Sequence, residues 1–448
     1  MITDVEKALV KECLVFAGEE GASDARITLT KSTEDQIATL DGEIDKVTRC
    51  ADRTLNIALF ADGRFGSFSS NKLERESLKQ FINGAVQTVK MLSPDPFRKL
   101  PERERCCASA LSGKEMDIYD QAYNGIDASA RRLAALDAAV SGKVLPGLPE
   151  GVRLVSEEGE YSDSEYDVYV VDSQGLECRH TETSFDYGVE VTIEDASGDK
   201  YSDFWWTSSP RLKDFDASSC GLTAVRRACA QIGAMPAESG KYNMVVAANV
   251  SSRLVSPLLN ALNAYSLQQG NSFLVGSLGR QVFSNNMTIL DEPWRNGETG
   301  SKLFDSEGVA TKEGPIISGG IVMRYFVNTY MAGKTGFQPT VEEAIRPRLC
   351  AYPSEELDQE GLMRLCGNGI LVTDFNGGNC NPATGDFSYG ISGQLFENGK
   401  PLRPVSEMLV TGNFLTLWKN LIGAGSDYRR CATKLIGSLA FKDVDFSG

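Results

Sequence analysis

The chain has 448 residues, 42% of them hydrophobic, enough for two or three domains around a substantial core. Its 45 Lys and Arg stand against 61 Asp and Glu, and the net charge of −16 repels a phosphate backbone, so direct nucleic-acid binding is disfavoured. Met1 to Glu6 form neither a basic leader nor an apolar run, and no stretch reaches the roughly 18 apolar residues that span a bilayer, so a cytoplasmic protein that does not engage a membrane is expected. The eleven cysteines are odd in number and include no C-x-x-C pair, which predicts reduced thiols packed as small hydrophobes.

Taken along the chain, residues 4–20 have helical spacing through Val5, Ala8, Leu9, Leu14 and Val15. Residues 25–70 alternate as strands, with turns at Asp41-Gly42 and Asp62-Gly63, and Leu73 to Met91 returns to helical spacing. Ser70 and Asn71, at the start of that helix, read as caps. After a Pro-bearing linker the pattern recurs. Met116 to Val140 is predicted helical, Glu165 to Trp206 carries alternating strands, and Leu222 to Ile232 closes with a helix. Tyr201 to Trp206 occupies the place that Arg64 to Phe68 holds in the first unit. The expected fold class is therefore α+β: two repeated helix, β-meander, helix units (1–100 and 110–238), packed through their helices, followed by a β-rich antiparallel C-terminal domain (240–448).

In that last part, Tyr242 to Val246 begins a strand, and Val250 to Gln269 is predicted helical with a break at Pro257. Pro293-Trp294 and the stretch from Tyr330 to Pro347 are irregular and long enough to line a cleft. Ile370 to Thr373, Phe387 to Phe396 and Leu402 to Val410 read as three strands, the last two joined by the Asn-Gly turn of Glu397-Asn398-Gly399-Lys400. Between the first two lies a glycine-spaced polar loop, Asn376 to Asp386, bearing Asn376, Asn379, Asn381, Thr384 and Asp386. As bare composition, these are turn formers.

The run Asn381 to Ser388, followed by Glu397-Asn398-Gly399 and Pro404-Val405, resembles the C-terminal signature of the TldD/PmbA family, once named for modulation of DNA gyrase. The resemblance extends to Phe304-Asp305-Ser306-Glu307-Gly308-Val309, to Ser272-Phe273-Leu274 with Ser277-Leu278-Gly279, to Gly412-Asn413, and to Asp41 through Arg64 near the start. It covers nearly the whole chain and is nearest to the PmbA (TldE) branch. It implies a heterodimeric peptidase acting on peptides and unfolded proteins, in which the TldD-type subunit carries a zinc-binding His-Glu-x-x-x-His helix and the PmbA-type subunit does not. Here the place of that helix is taken by Leu254 to Ala261, without imidazole or carboxylate, and His180 is the chain's only histidine.

Two readings follow. In the first, the chain is a PmbA/TldE-like subunit with no catalytic, metal or cofactor residues of its own; zinc is expected only in a TldD-like partner, and peptide or unfolded protein is the substrate. In the second, it is a stand-alone, non-catalytic peptide-binding or scaffold homodimer. Asn376, Asn379, Asn381, Thr384, Asp386 and Tyr389 are the candidate peptide or interface residues, and in the first reading replacing Asn381 and Tyr389 by alanine is expected to weaken association with the metal-bearing subunit, or processing by the pair, while leaving the fold intact. Asp305, Glu307 and Gly308 form the family-signature turn, whose carboxylates are expected to cap and solubilise. Gly333-Lys334-Thr335 lacks the upstream glycine and the following helix of a phosphate loop, since Gly336 and Pro339 come next.

Overall fold

The computed structural model describes residues 1–145 and 147–448. The first unit runs α1 (Asp4–Glu19), β1 (Asp24–Leu40), β2 (Glu43–Ala61), β3 (Arg64–Ser70) and α2 (Arg75–Met91). α1 opens with a reciprocal capping box, in which the Thr3 hydroxyl accepts from the Glu6 amide and the Glu6 carboxylate from the Thr3 amide. Both hairpins turn where the sequence indicates. Asp41 and Gly42 have φ of 51° and 81°, Asp62 and Gly63 of 51° and 70°, the paired positive values that suit the twist of the flanking strands. Ser70 does not cap α2, which begins five residues later; its hydroxyl accepts from the Lys72 amide (3.1 Å) in a local turn.

The second unit repeats the order with α3 (Ala128–Ala138), β4 (Arg153–Asp172), β5 (Glu177–Glu194), β6 (Lys200–Ser209) and α4 (Cys220–Cys229). The helix expected from Met116 is shorter, because its upstream backbone is used otherwise: the amides of Arg179, Thr181 and Thr183 on β5 donate to the carbonyls of Ala110, Gly113 and Ile118. Asp127 then caps α3 through the Ala130 amide (2.8 Å).

All six strands form one sheet in the order β3-β2-β1-β4-β5-β6. The two units are thus related about the central β1–β4 pair, with β3 and β6 as matching edges. They join through this sheet, β1 and β4 running antiparallel from Arg26↔Asp172 to Leu40↔Glu158, with α1 and α3 packed across the seam. An unpaired edge on strands this long would leave a row of backbone groups unsatisfied, and mutual pairing removes it. On β1, Ile27, Leu29 and Ile37 share one face by the period of two; α1 packs over its first half and α3 over its second, while α2 covers β2 and β3 and α4 covers β5 and β6.

The remainder comprises β7 (Gly240–Val246), α5 (Ser252–Ala261), α6 (Ala264–Gln268), β8 (Ile289–Asp291), β9 (Gly314–Ser318), β10 (Ile321–Val322), α7 (Thr329–Thr335), β11 (Pro347–Leu349), α8 (Gln359–Cys366), β12 (Gly369–Cys380), β13 (Asp386–Glu397), β14 (Lys400–Asn413), α9 (Phe414–Lys419), β15 (Leu421–Ala424) and β16 (Leu439–Ser447). Its main sheet, β14-β13-β12-β7-β16-β15, is closed by pairing of β14 with β16, and only β7–β12 is parallel within it. A barrel results, filled by Met244, Val246, Ile370, Val372, Ile391, Val410 and Phe441. A small sheet, β10-β9-β8-β11, lies beside it. Pro257 sits inside α5 and the break falls after it, where Asn263 caps α6 through the Tyr265 amide and Ala264 donates to the Phe326 carbonyl. Gly333-Lys334-Thr335 ends α7, with Gly336 in the left-handed conformation (φ 72°), so those residues cradle no phosphate at a helix start. Among the described residues no helix is long and apolar enough to cross a membrane.

Candidate peptide cleft

The edge strand β6 stands across from β12, and between them opens a cleft of about 380 Å³. Its walls combine aromatic and hydrogen-bonding groups: Trp205 and Trp206 from β6, Arg227 from α4, Asn249 and Val250 before α5, Asp374 and Asn376 from β12, and Arg429 from the β15–β16 connection. Asp203 orients one side, accepting from Arg227 Nε (2.8 Å) and from Gln231 Nε2 (2.8 Å). Across the cleft, Arg227 Nη2 and Asn249 Nδ2 both donate to the Thr373 carbonyl, at 3.3 and 3.4 Å, tying α4 and the start of α5 to β12. Asn376 donates to Ser392 Oγ (2.7 Å). Burial pushes the Asp374 carboxyl up, with Asp203 adding to the effect and Arg227 opposing it.

Trp205 lies between two guanidiniums, with Cζ of Arg429 4.2 Å and Cζ of Arg227 5.2 Å from its ring centre. Arg429 is also 4.4 Å from the Trp206 ring and donates to the Trp206 carbonyl. Two more backbone groups on this edge of β6 are taken: Ser202 O accepts from Gln231 Nε2 (3.0 Å) and Phe204 N donates to Asp203 Oδ1 (2.8 Å). An incoming strand therefore meets an edge with some of its hydrogen bonds already made, and the cleft adds side-chain groups to the ladder positions that remain.

The start of α5 adjoins this cleft. Leu254, Val255, Leu258, Leu259 and Ala261 point into the core, and Arg253 and Asn260 are exposed, Arg253 lying 5.0 Å from the Tyr389 ring. Neither imidazole nor carboxylate is present on any turn of α5. His180 is elsewhere, on β5, with Nε2 3.2 Å from Glu182 Oε2. Among the described residues no three His, Cys, Asp or Glu side chains come together as a metal site. This donor set does not fit the zinc of the family's catalytic helix.

The residues singled out from the sequence separate in space. Asn376 and Asn379 lie on β12 and not in a loop, flanking a bulge at Gly377 and Gly378 (φ 74° and 84°). A Cβ on Gly378 would sit 2.1 Å from the Ser388 carbonyl, so only glycine fits there. Asn376 reaches the cleft. Asn379, Asn381, Thr384 and Asp386 are exposed at the far end of the hairpin. That turn is largely self-satisfied: Asn381 Oδ1 accepts from the Ala383 amide (3.0 Å), Thr384 Oγ1 donates to Asp386 Oδ2 (2.7 Å), and Asn413 Nδ2 donates to Asp386 Oδ1 (2.9 Å). Tyr389 is buried inside the barrel, its ring 5.5 Å from Phe387 and 5.6 Å from Phe375. Its removal opens a core cavity, contrary to the expectation that the fold would be indifferent to it.

Asp305 and Glu307 are buried, so the signature turn does not solubilise. Asp305 Oδ1 accepts from the amides of Glu307 (3.0 Å) and Val309 (2.9 Å), and Oδ2 from that of Glu342 (3.2 Å). Burial, then the charges of Glu342 and Glu307, push its carboxyl up to about 7. Glu307 accepts from both the amide and hydroxyl of Thr329 at 2.8 Å. Gly308 has φ of 80°, and a Cβ there would meet Leu176 Cδ2 at 2.3 Å. The turn joins the first sheet to the C-terminal region, since Arg26 donates to Glu307 O and Cys107 N to Gly308 O, both at 2.9 Å. Sequence reasoning missed Asn249, Arg227, Asp374 and Arg429 in the cleft; the Trp205-Trp206 pair on an edge strand was the one visible signal.

Residues 239–448 match the model of the PmbA/TldA metallopeptidase C-terminal domain, and residues 123–232 that of the central domain. This chain belongs to the PmbA/TldD family. Metalloprotease PmbA of Escherichia coli O157:H7 is 26% identical over 99% of this chain and 97% of its own length. A Bacteroides thetaiotaomicron crystal structure, described as a candidate modulator of DNA gyrase, superposes with a TM-score of 0.93 at 35% identity over 100% of both chains. TldE from Thermococcus kodakarensis shares the fold, with a TM-score of 0.82 at 18% identity over 98% of this chain and 100% of its own.

Proposed function

We propose that this chain is the PmbA/TldE-like subunit of a cytoplasmic peptidase complex, in which a TldD-like partner supplies the zinc chemistry and this chain helps hold peptides or unfolded proteins. The observation that carries the reading is the polar, tryptophan-walled cleft beside α5, a helix in the family's metal position that has no metal-binding side chain. Such a surface holds a polypeptide by stacking and by hydrogen bonds from Asn249, Asn376 and the arginines, without activating a water. The zinc-bearing subunit, expressed from the same genome and mixed with this chain, should cleave an unfolded substrate, whereas this chain alone should not. Metal-dependent cleavage by this chain alone, or cleavage by the partner that does not respond to this chain, would sink the proposal. A stable homodimer that binds peptides and ignores the partner would support the stand-alone binding protein instead.

A further inference from the structure

Arg429 is set apart by what it lacks. Arg131, Arg179 and Arg227 each hold a carboxylate, at 2.8, 2.6 and 2.8 Å. Arg429 has no carboxylate partner among the described residues; it is half-buried, and its protein contacts are the Trp206 carbonyl, two indole faces and the Cys431 thiol. Burial, the largest influence on it, pushes its guanidinium down, and neighbouring Arg227 adds to this. A guanidinium has five N–H donors in a planar fork, and removing it from water without a counter-ion is unfavourable. The two indole faces and the Trp206 carbonyl hold the guanidinium at the cleft wall, which limits the freedom it loses on binding an anion.

The carboxylates of the cleft do not fill that role. Asp203 is engaged by Arg227 and Gln231, and neither Glu190 nor Asp374, both exposed, forms an ion pair with Arg429 among the described residues.

We infer that Arg429, held against Trp205 and Trp206, anchors a carboxylate of the bound peptide by a two-pronged ion pair. This rests on the proposed peptide-binding role and gives it a substrate class: peptides that bring a carboxylate, at the C-terminus or on an acidic side chain, to the β6–β12 cleft. Two parallel charge-assisted hydrogen bonds in a partly desolvated site give a preference of about tenfold over a neutral peptide.

The test uses the full-length chain and three short peptides of one sequence: a free C-terminus, an amidated C-terminus, and an amidated form with one internal Glu. Tryptophan fluorescence and calorimetry read the binding. The wild type should prefer one or both carboxylate peptides about tenfold over the neutral one. Arg429→Gln should abolish the preference; Arg429→Lys, with charge but no fork, should retain only part of it, and Arg430→Gln, at the exposed neighbour, all of it. The preferred peptide identifies the carboxylate. Equal binding of all three peptides by the wild type, binding of none, or a preference that survives in Arg429→Gln with a wild-type melting curve overturns the anchor. Cleavage by the pair with the zinc-bearing subunit is scored separately: its persistence without a carboxylate preference sinks only the anchor, and its absence sinks the subunit assignment.

Discussion

Asp305 couples one residue's ionisation to the joint between the first sheet and the C-terminal region. Its carboxyl, pushed up to about 7, is ordinary in the unfolded chain at about 3.9. The folded state therefore binds the proton more tightly; the stabilisation is fully present below about pH 4 and is lost as pH rises through about 7. Asp305→Asn should flatten the decline in melting temperature between pH 5.5 and 8, removing a loss on the order of 1–3 kcal/mol. An unchanged pH profile would show that this carboxyl does not titrate in that window. Asn381, at the exposed hairpin tip, and Tyr389, inside the barrel, call for different treatment. Tyr389→Ala should cost about 3–5 kcal/mol through the cavity it leaves among Phe375, Phe387 and Arg253, visible as a lowered urea midpoint. Asn381→Ala, at an exposed turn, should change stability by less than about 1 kcal/mol, so a weakened pull-down with the proposed zinc-bearing subunit would place Asn381 at an interface and not report lost folding. An unweakened pull-down would remove Asn381 from that interface.

At the scale of elements, periodicity and turn chemistry translated directly into structure. The Asp-Gly and Asn-Gly pairs became hairpin turns because positive φ at both positions costs Gly little and Asp or Asn less than other residues. The stretch from Met116 to Ile126 does not continue α3 upstream, because Met116 O accepts from Gly297 N and Ile118 O from Thr183 N on β5, partners distant in sequence. β6 shows the same dependence on distant groups. Gln231, just past α4, bonds both Ser202 O and Asp203 and helps keep this sheet edge occupied. Gln231→Ala should destabilise the chain by about 1–2 kcal/mol in urea unfolding and raise amide exchange along β6. Wild-type exchange in that variant would mean that the edge is protected by other groups.

At the scale of the molecule, two closures define the architecture: the β1–β4 pair that makes two units into one sheet, and the β14–β16 pair that makes the C-terminal sheet a barrel. β16 contacts both β7 and β14, so it holds two edges at once. A chain ending at Ser438 loses Leu439, Phe441, Val444 and Phe446 from the core and should be insoluble or show no cooperative melting transition. A soluble, cooperatively folded truncation would show that the barrel does not need its last strand.

The sequence alone determined the local order of helices and strands, the internal repeat, the family, and the absence of metal-binding side chains on the α5 segment. Each of these is written in neighbouring residues or in residue identity. Only the tertiary structure decided that the repeats join edge to edge, that Asp305 and Tyr389 are buried, and that Trp205, Arg227, Asn249, Asp374 and Arg429 share a cleft. Those residues stand in five separate segments, and no period of two or of 3.6 relates them. Their proximity follows from strand pairing and barrel closure, interactions whose partners lie far apart along the chain.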